Sequence, residues 1–168
     1  MISKYYEGTS KIIYLSTEIG KYLGKIEATN RNRPKTRLRR ENRIKTIHSS
    51  LQIEGNTLSL DQVSDLLEKK RVFGPAKDIL EVKNAILVYD HLDRFDPFQE
   101  TDYLKAHRML MEGLVDHPGQ YRTKGVGIFK GDVVAHVVPP AWNIHFLMNN
   151  LFEYLKTSQD SFIIKSCV

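Results

Sequence analysis

Ile79, Val82, Ile86, Tyr89 and Leu92 recur at intervals of three and four residues, and this spacing constrains the fold more than any other feature of the chain. Apolar side chains so placed share one stripe of an α-helix, which has to be buried against other elements. Gly74-Pro75 stands just ahead, with proline in the first turn, where its missing N–H does no harm. Leu38, Ile44, Ile47 and Leu51 predict a second helix from Lys35 to about Glu54, stopped by Gly55-Asn56. Ser59-Leu60-Asp61-Gln62 has capping-box spacing and opens a helix with Val63, Leu66 and Leu67 on its apolar face, expected to run to about Lys70. Thr101 is placed to cap a helix carrying Leu104, His107, Leu110, Met111 and Leu114 and ending near Gly113. A histidine in such a stripe reads as packed and hydrogen-bonded rather than as a ligand.

The flanks are less regular. Residues 3 to 25 suggest a weakly amphipathic helix or helix pair ending in the Gly20 to Gly24 region, and Asn30 to Pro34 reads as a turn. After Gly125 the period changes from helical to alternating. Val126 to Phe129 and Val133 to Val137 form two β-rich runs across Lys130-Gly131-Asp132, a predicted hairpin. Pro139-Pro140 ends it and leads into a helix with Ile144, Leu147, Met148, Leu151, Phe152 and Leu155 at helical spacing. Asp160 is placed to cap a last helix from Phe162, and Val168 falls inside its apolar pattern, without a glycine, basic turn or polar tail. A mainly α chain with one hairpin and an incomplete C-terminal part is expected.

Composition sets limits. In 168 residues, 41% hydrophobic and 27% charged content suits an ordinary globular domain. Lys4, Glu7, Lys11, Glu18 and Lys21 interrupt the N-terminal apolar positions, which leaves no signal-peptide core or membrane span and suggests a soluble cytoplasmic protein. Cys167 is the single cysteine, so neither an internal disulfide nor a thiolate metal site is expected. The net charge of +5 is local in origin: residues 31 to 45 hold eight Lys or Arg against Glu41 alone, +7, which leaves −2 for the rest. Such a run suits either a solvated helix face or contact with phosphates.

A search for catalytic patterns finds no zincin motif, nucleophile elbow or Walker loop, and the six histidines lack metal-ligand spacing. Gly125-Val126-Gly127 enters a strand rather than opening a helix, so it supplies no phosphate-binding N-terminus. Glu54 is physically odd. It lies in the last turn of its helix, where the negative end of the macrodipole disfavours an acid by about 0.3–1 kcal/mol. Ser50 stands one turn earlier on the same face. The glutamate is either solvated or held by a cation from elsewhere.

Ser50-Leu51-Gln52-Ile53-Glu54-Gly55 fits the pattern [ST]-x-x-x-E-[GN], and Ser49 and Asn56-Thr57-Leu58 flank it. Further stretches follow in order: Glu81 to Leu92, Leu104-Lys105-Ala106-His107, Gly119-Gln120-Tyr121-Arg122, and Val137-Val138-Pro139-Pro140 before Leu147-Met148. Together they resemble Fic proteins whose inhibitory helix precedes the catalytic core. The resemblance covers roughly residues 35 to 168, after an N-terminal helical segment of residues 1 to 34. It implies a Fic-like helical bundle with one β-hairpin flap and the C-terminal part of the core missing.

The resemblance further implies AMP transfer from ATP, with magnesium, to a hydroxyl of a target protein; a few relatives use other phosphate donors. The family's base, phosphate loop and metal-holding acid belong to H-x-F-x-[DE]-G-N-G-R-x-x-R, which these residues do not contain, so no catalytic or metal-ligating residue is assigned. By resemblance, Ser50, Glu54 and Gly55 are the inhibitory residues. Glu54 would pair with the second arginine of that motif and block the ATP γ-phosphate site, supported by a hydrogen bond from Ser50. Val134, Ala135, His136 and Val137 would be the flap strand that docks the target by β-augmentation. His136 is then a flap residue and not a base. The alternative is a nucleic-acid-binding module that uses the basic helix 31–45, with Arg37, Arg39, Arg40 and Arg43, together with the hairpin. A homo-oligomer is compatible with either reading.

Overall fold

The structure, a computed structural model, describes residues 6–30, 35–130 and 133–167, and among these the side chains of all but 30, 35–37, 127–130 and 133–137. It is mainly helical: α1 Ser10–Asn30, α2 Lys35–Ile53, α3 Leu60–Leu67, α4 Ala76–Asp90, α5 Glu100–Met111, α6 Ile144–Thr157 and α7 Phe162–Lys165. Two short strands, β1 Gly127–Lys130 and β2 Val133–Val137, lie between α5 and α6. The turn expected at Asn30 to Pro34 begins on the last residue of α1 and otherwise, like Gly131-Asp132 of the expected hairpin, falls outside the described residues. Residues 40–156 form one compact unit, and the residues up to Arg39 together with those from Thr157 form another.

In the larger unit the core is built largely from the expected stripes. Ile44 and Ile47 of α2, Leu58 of the loop that follows, Val63 and Leu66 of α3, and Val82 and Ala85 of α4 are buried together, with Val82 0% and Ile47 1% exposed. Apolar burial of this kind contributes about 1.5–3 kcal/mol for each large side chain. The α4 stripe is one residue shorter than predicted. α4 stops at Asp90, the His91 N–H bonds the Val88 carbonyl in a tightened last turn, and Leu92 sits in a separate 3-10 turn, 56% exposed. Pro75 occupies the N-cap of α4 rather than its first turn.

Helix ends show where local chemistry sufficed. The capping box of α3 is formed: the Gln62 N–H donates to Ser59 Oγ (3.2 Å) and the Ser59 N–H donates to Gln62 Oε1 (2.8 Å). α3 ends at Leu67 instead of near Lys70, because Lys69 turns into the left-handed region (φ 61°), where the Lys70 N–H closes onto the Asp65 carbonyl. Thr101 is not the cap of α5. The helix begins at Glu100 with Gln99 at the N-cap, where the Gln99 carbonyl accepts from Asp102 and Tyr103. The side chains that organise this start belong to Asp96, which accepts from the Phe98 N–H (2.9 Å), and Asp102, which accepts from the Asp96 N–H (2.9 Å). At the other end of α5, the buried Asn84 of α4 donates to the carbonyls of Leu110 (3.0 Å) and Glu112 (2.8 Å), satisfying groups the helix leaves open.

In the second unit α1 runs unbroken to Asn30 through Gly20 and Gly24, beyond the predicted stop. A glycine costs a helix interior about 1 kcal/mol, too little to end one that resumes with Lys25, Glu27 and Ala28. Asp160 does not cap α7. Ser161 is the N-cap, while Asp160 accepts from the Tyr6 hydroxyl (2.7 Å) and from Ser158 (2.8 Å). Among the described residues, no helix is long and apolar enough to cross a membrane.

Candidate functional site

α2 ends at Ile53, one residue before the predicted stop, and Glu54 is its C-cap. Gly55 takes φ +91°, the Gly55 N–H donates to the Gln52 carbonyl (3.1 Å), and the Asn56 N–H donates to the Leu51 carbonyl (3.0 Å). This pair of bonds is a Schellman closure, and it needs a residue that accepts left-handed backbone at its turn. Glu54 and Ser50 are both exposed. No hydrogen bond joins Ser50 to Glu54, and Glu54 makes no ion pair among the described residues. The carboxylate therefore stands at the negative end of α2 facing solvent. Ile53 beside it is 84% exposed.

The segment that follows is held tightly. Asn56 is 7% exposed; its Nδ2 donates to Glu81 Oε2 (2.8 Å) and to the Asp78 carbonyl (3.0 Å), and its Oδ1 accepts from the Leu58 N–H (3.1 Å). Thr57 donates both its N–H (2.7 Å) and its hydroxyl (2.6 Å) to Asp78 Oδ2. Asp78 is 8% exposed, yet the two Thr57 donors outweigh burial and hold its carboxyl below the usual carboxylate range. A carboxylate with a depressed folded-state pKa stabilises the fold above its unfolded value, 3.8, and that stabilisation is lost as pH falls through the folded value. Acid unfolding followed by circular dichroism below about pH 4 is therefore expected to be steeper for the natural chain than for Asp78→Asn.

The hairpin lies downstream in the same unit. β1 pairs antiparallel with β2 in the register Gly127 with Val137, Ile128 with His136, Phe129 with Val134 and Lys130 with Val133. The register shifts between Ile128 and Phe129, leaving Ala135 as the extra residue of a bulge. The sheet has two strands, so among the described residues one edge of β2 has no strand beside it. The side chains of Val134, Ala135, His136 and Val137 lie outside the described residues.

Arg122 ties the two ends of this hairpin. One guanidinium nitrogen donates to the Lys124 carbonyl (2.9 Å), before β1, and the other donates to the Pro139 carbonyl, after β2. Truncation to Arg122→Ala is expected to release both and to speed amide exchange across β1 and β2 about tenfold or more, read by hydrogen–deuterium exchange, since bonds from a charged donor contribute about 1.5–3 kcal/mol each. Just upstream, the Tyr121 hydroxyl donates to Glu100 (2.8 Å); burial first, then this carboxylate, pushes it above the usual tyrosine range. The tyrosine ring also meets His145 edge-on at 5.2 Å. His107 is half-buried and accepts the Gly119 N–H at Nδ1 (2.8 Å), a packed histidine as its place in the α5 stripe suggests.

Two of the four arginines expected to face nucleic acid are committed within the unit. Arg40 pairs with Glu68, and Arg43 donates to Asp90 (2.7 Å) and to the Ile86 carbonyl (2.6 Å). Arg37 lies outside the described side chains. Among the described residues, no group of three His, Cys, Asp or Glu side chains could hold a metal. No step is assigned through a magnesium ion. Sequence reading missed Asp78, Glu81 and Arg122 as site residues. Asp78 is an acid in the first turn of α4, which by itself carries no signal beyond the helix start, and Arg122 entered only within Gly119-Gln120-Tyr121-Arg122.

The mainly helical chain has a Fic-like fold. Residues 97–168 match the model of the Fic/DOC family. It is similar to a Fic family protein from Desulfovibrio desulfuricans G20 of known crystal structure, with 43% identity, a TM-score of 0.86 and 96% of this chain aligned. The chain spans about half the length of that protein, 50%. No curated protein matches.

Proposed function

We propose that these residues are the regulatory and target-docking part of an autoinhibited protein AMP-transferase, whose complete form moves AMP from ATP to a hydroxyl of a target protein. The observation that carries this reading is Glu54: an exposed acid fixed at the C-cap of α2, where the helix dipole disfavours it, in a chain similar to Fic proteins. A carboxylate held there is suited to take an arginine from another segment. In the family that arginine belongs to H-x-F-x-[DE]-G-N-G-R-x-x-R, and ATP and magnesium are bound by the same motif.

The open edge of β2 supports the docking half of the reading. An extended target segment can add to it as a third strand, and the backbone bonds so made hold a hydroxyl in line for attack. Arg122, by holding both ends of the hairpin, limits how far that edge can swing. The test is AMP transfer from labelled ATP. The 168 residues alone are expected to give no adduct, whereas a form carrying the motif labels itself or a partner and responds to substitution of Glu54. An adduct on the 168 residues, or a motif-bearing form indifferent to Glu54, would overturn the assignment.

A further inference from the structure

Four hydrogen bonds join Asn56, which closes the Schellman turn, and Thr57 after it to two acids of α4. Thr57 donates twice to Asp78, and Asn56 donates to Glu81 and to the Asp78 carbonyl. Asn56 and Asp78 are almost wholly buried, so an unmade bond here leaves a polar group without water to replace its partner. The latch begins two residues after Glu54, across a turn whose bonds are themselves closed. A chain advances at most about 3.8 Å per residue between Cα atoms, so Glu54 cannot shift far unless the latch opens or the turn unwinds. Val82 and Ala85 anchor α4 in the core, whereas on α2 the buried anchors Ile44 and Ile47 lie seven residues or more before Glu54.

We infer that Asp78 and Glu81 are positioning residues for Glu54: they hold the end of α2 so that the inhibitory carboxylate stays where its arginine meets it. This rests on the inhibitory reading above and extends it to residues outside the six-residue pattern. Nothing in the core requires the Asp78 carboxylate itself. Its polar contacts are with Thr57, at the start of the segment that leads away from Glu54. An amide at position 78 keeps the shape and can still set its oxygen against both Thr57 donors, which share Asp78 Oδ2, but it removes the charge that strengthens those bonds; valine at position 57 removes the hydroxyl bond from an exposed residue without disturbing the core.

The experiment measures AMP transfer in a form that carries the catalytic motif, for the natural sequence, Asp78→Asn, Thr57→Val, Glu54→Gly and each latch variant combined with Glu54→Gly. With Glu54 present, Asp78→Asn is expected to raise the rate about three- to tenfold, and Thr57→Val to raise it by less. On the Glu54→Gly background each adds less than about twofold, because there is no longer a carboxylate to misplace. A merely structural role predicts the opposite, lowered rates on both backgrounds. Latch variants that leave the rate unchanged while Glu54→Gly raises it overturn the latch and spare the inhibitory reading. A silent Glu54→Gly overturns both.

Discussion

Glu54→Gly is expected to raise AMP transfer about ten- to a hundredfold in a form that carries the catalytic motif, the largest effect of any single substitution considered. A charge-assisted bond between a carboxylate and a guanidinium contributes about 1.5–3 kcal/mol, and each ~1.4 kcal/mol is a factor of ten in the fraction of molecules whose phosphate site is open. The substitution removes that contact without disturbing the fold, because Glu54 is exposed, makes no ion pair among the described residues, and packs into nothing. It also removes an acid from the unfavourable end of α2, so thermal stability is expected to change little. Mass spectrometry of the AMP adduct against time gives the rate, and circular dichroism supplies the stability control. Glu54→Gln is expected to recover most of the gain, since the charge and not the size of the side chain makes the plug. A rate for Glu54→Gln equal to that of the natural sequence would show that shape rather than charge does the blocking.

The second large effect concerns stability. Gly119→Ala is expected to destabilise the protein by about 2–4 kcal/mol and to lower its melting temperature by roughly 5–15 °C. Two independent strains add. Gly119 has φ +75°, a left-handed backbone that costs a residue with a Cβ about 1–2 kcal/mol. A Cβ there would also lie 2.7 Å from Arg108 Cβ and 2.9 Å from the Leu104 carbonyl oxygen, both in α5 and neither able to swing aside. The displacement would open the bond from the Gly119 N–H to His107 as well. Gly125→Ala provides the contrast, because a Cβ at position 125 meets nothing within 4 Å. Its melting temperature is expected to stay within about a degree of the natural value; equal shifts for the two variants would refute the steric argument.

Much of the helical framework was legible because its causes are local. The stripes of α2, α4 and α6 record a repeat of 3.6 residues, and the capping box at Ser59 and the left-handed turn at Gly55 each close within a few residues. The likeness to Fic proteins was legible for a related reason, since its clues are short patterns in a set order, now matched over residues 97–168 and by a similar structure. Where two local signals competed, sequence reading picked the wrong one. Thr101 and Asp160 both have capping chemistry, but Gln99 and Ser161 hold those positions, because Asp96 with Asp102 and Tyr6 with Ser158 engage the surrounding groups first.

The sequence by itself determined that this chain is mainly helical, that Glu54 sits at a helix end, and which family's patterns it carries. Only the tertiary structure decided what holds that glutamate in place and what fixes the hairpin. Asp78 meets Thr57 across 21 residues, and Arg122 meets Pro139 across 17. Contacts of that range leave no periodic trace, because each depends on two helices or strands being folded and packed before its partners come within 3 Å of one another. A carboxylate at a helix start and an arginine in a loop look alike in sequence whether solvated or buried. Their roles emerge only when packing removes the water that would otherwise satisfy them.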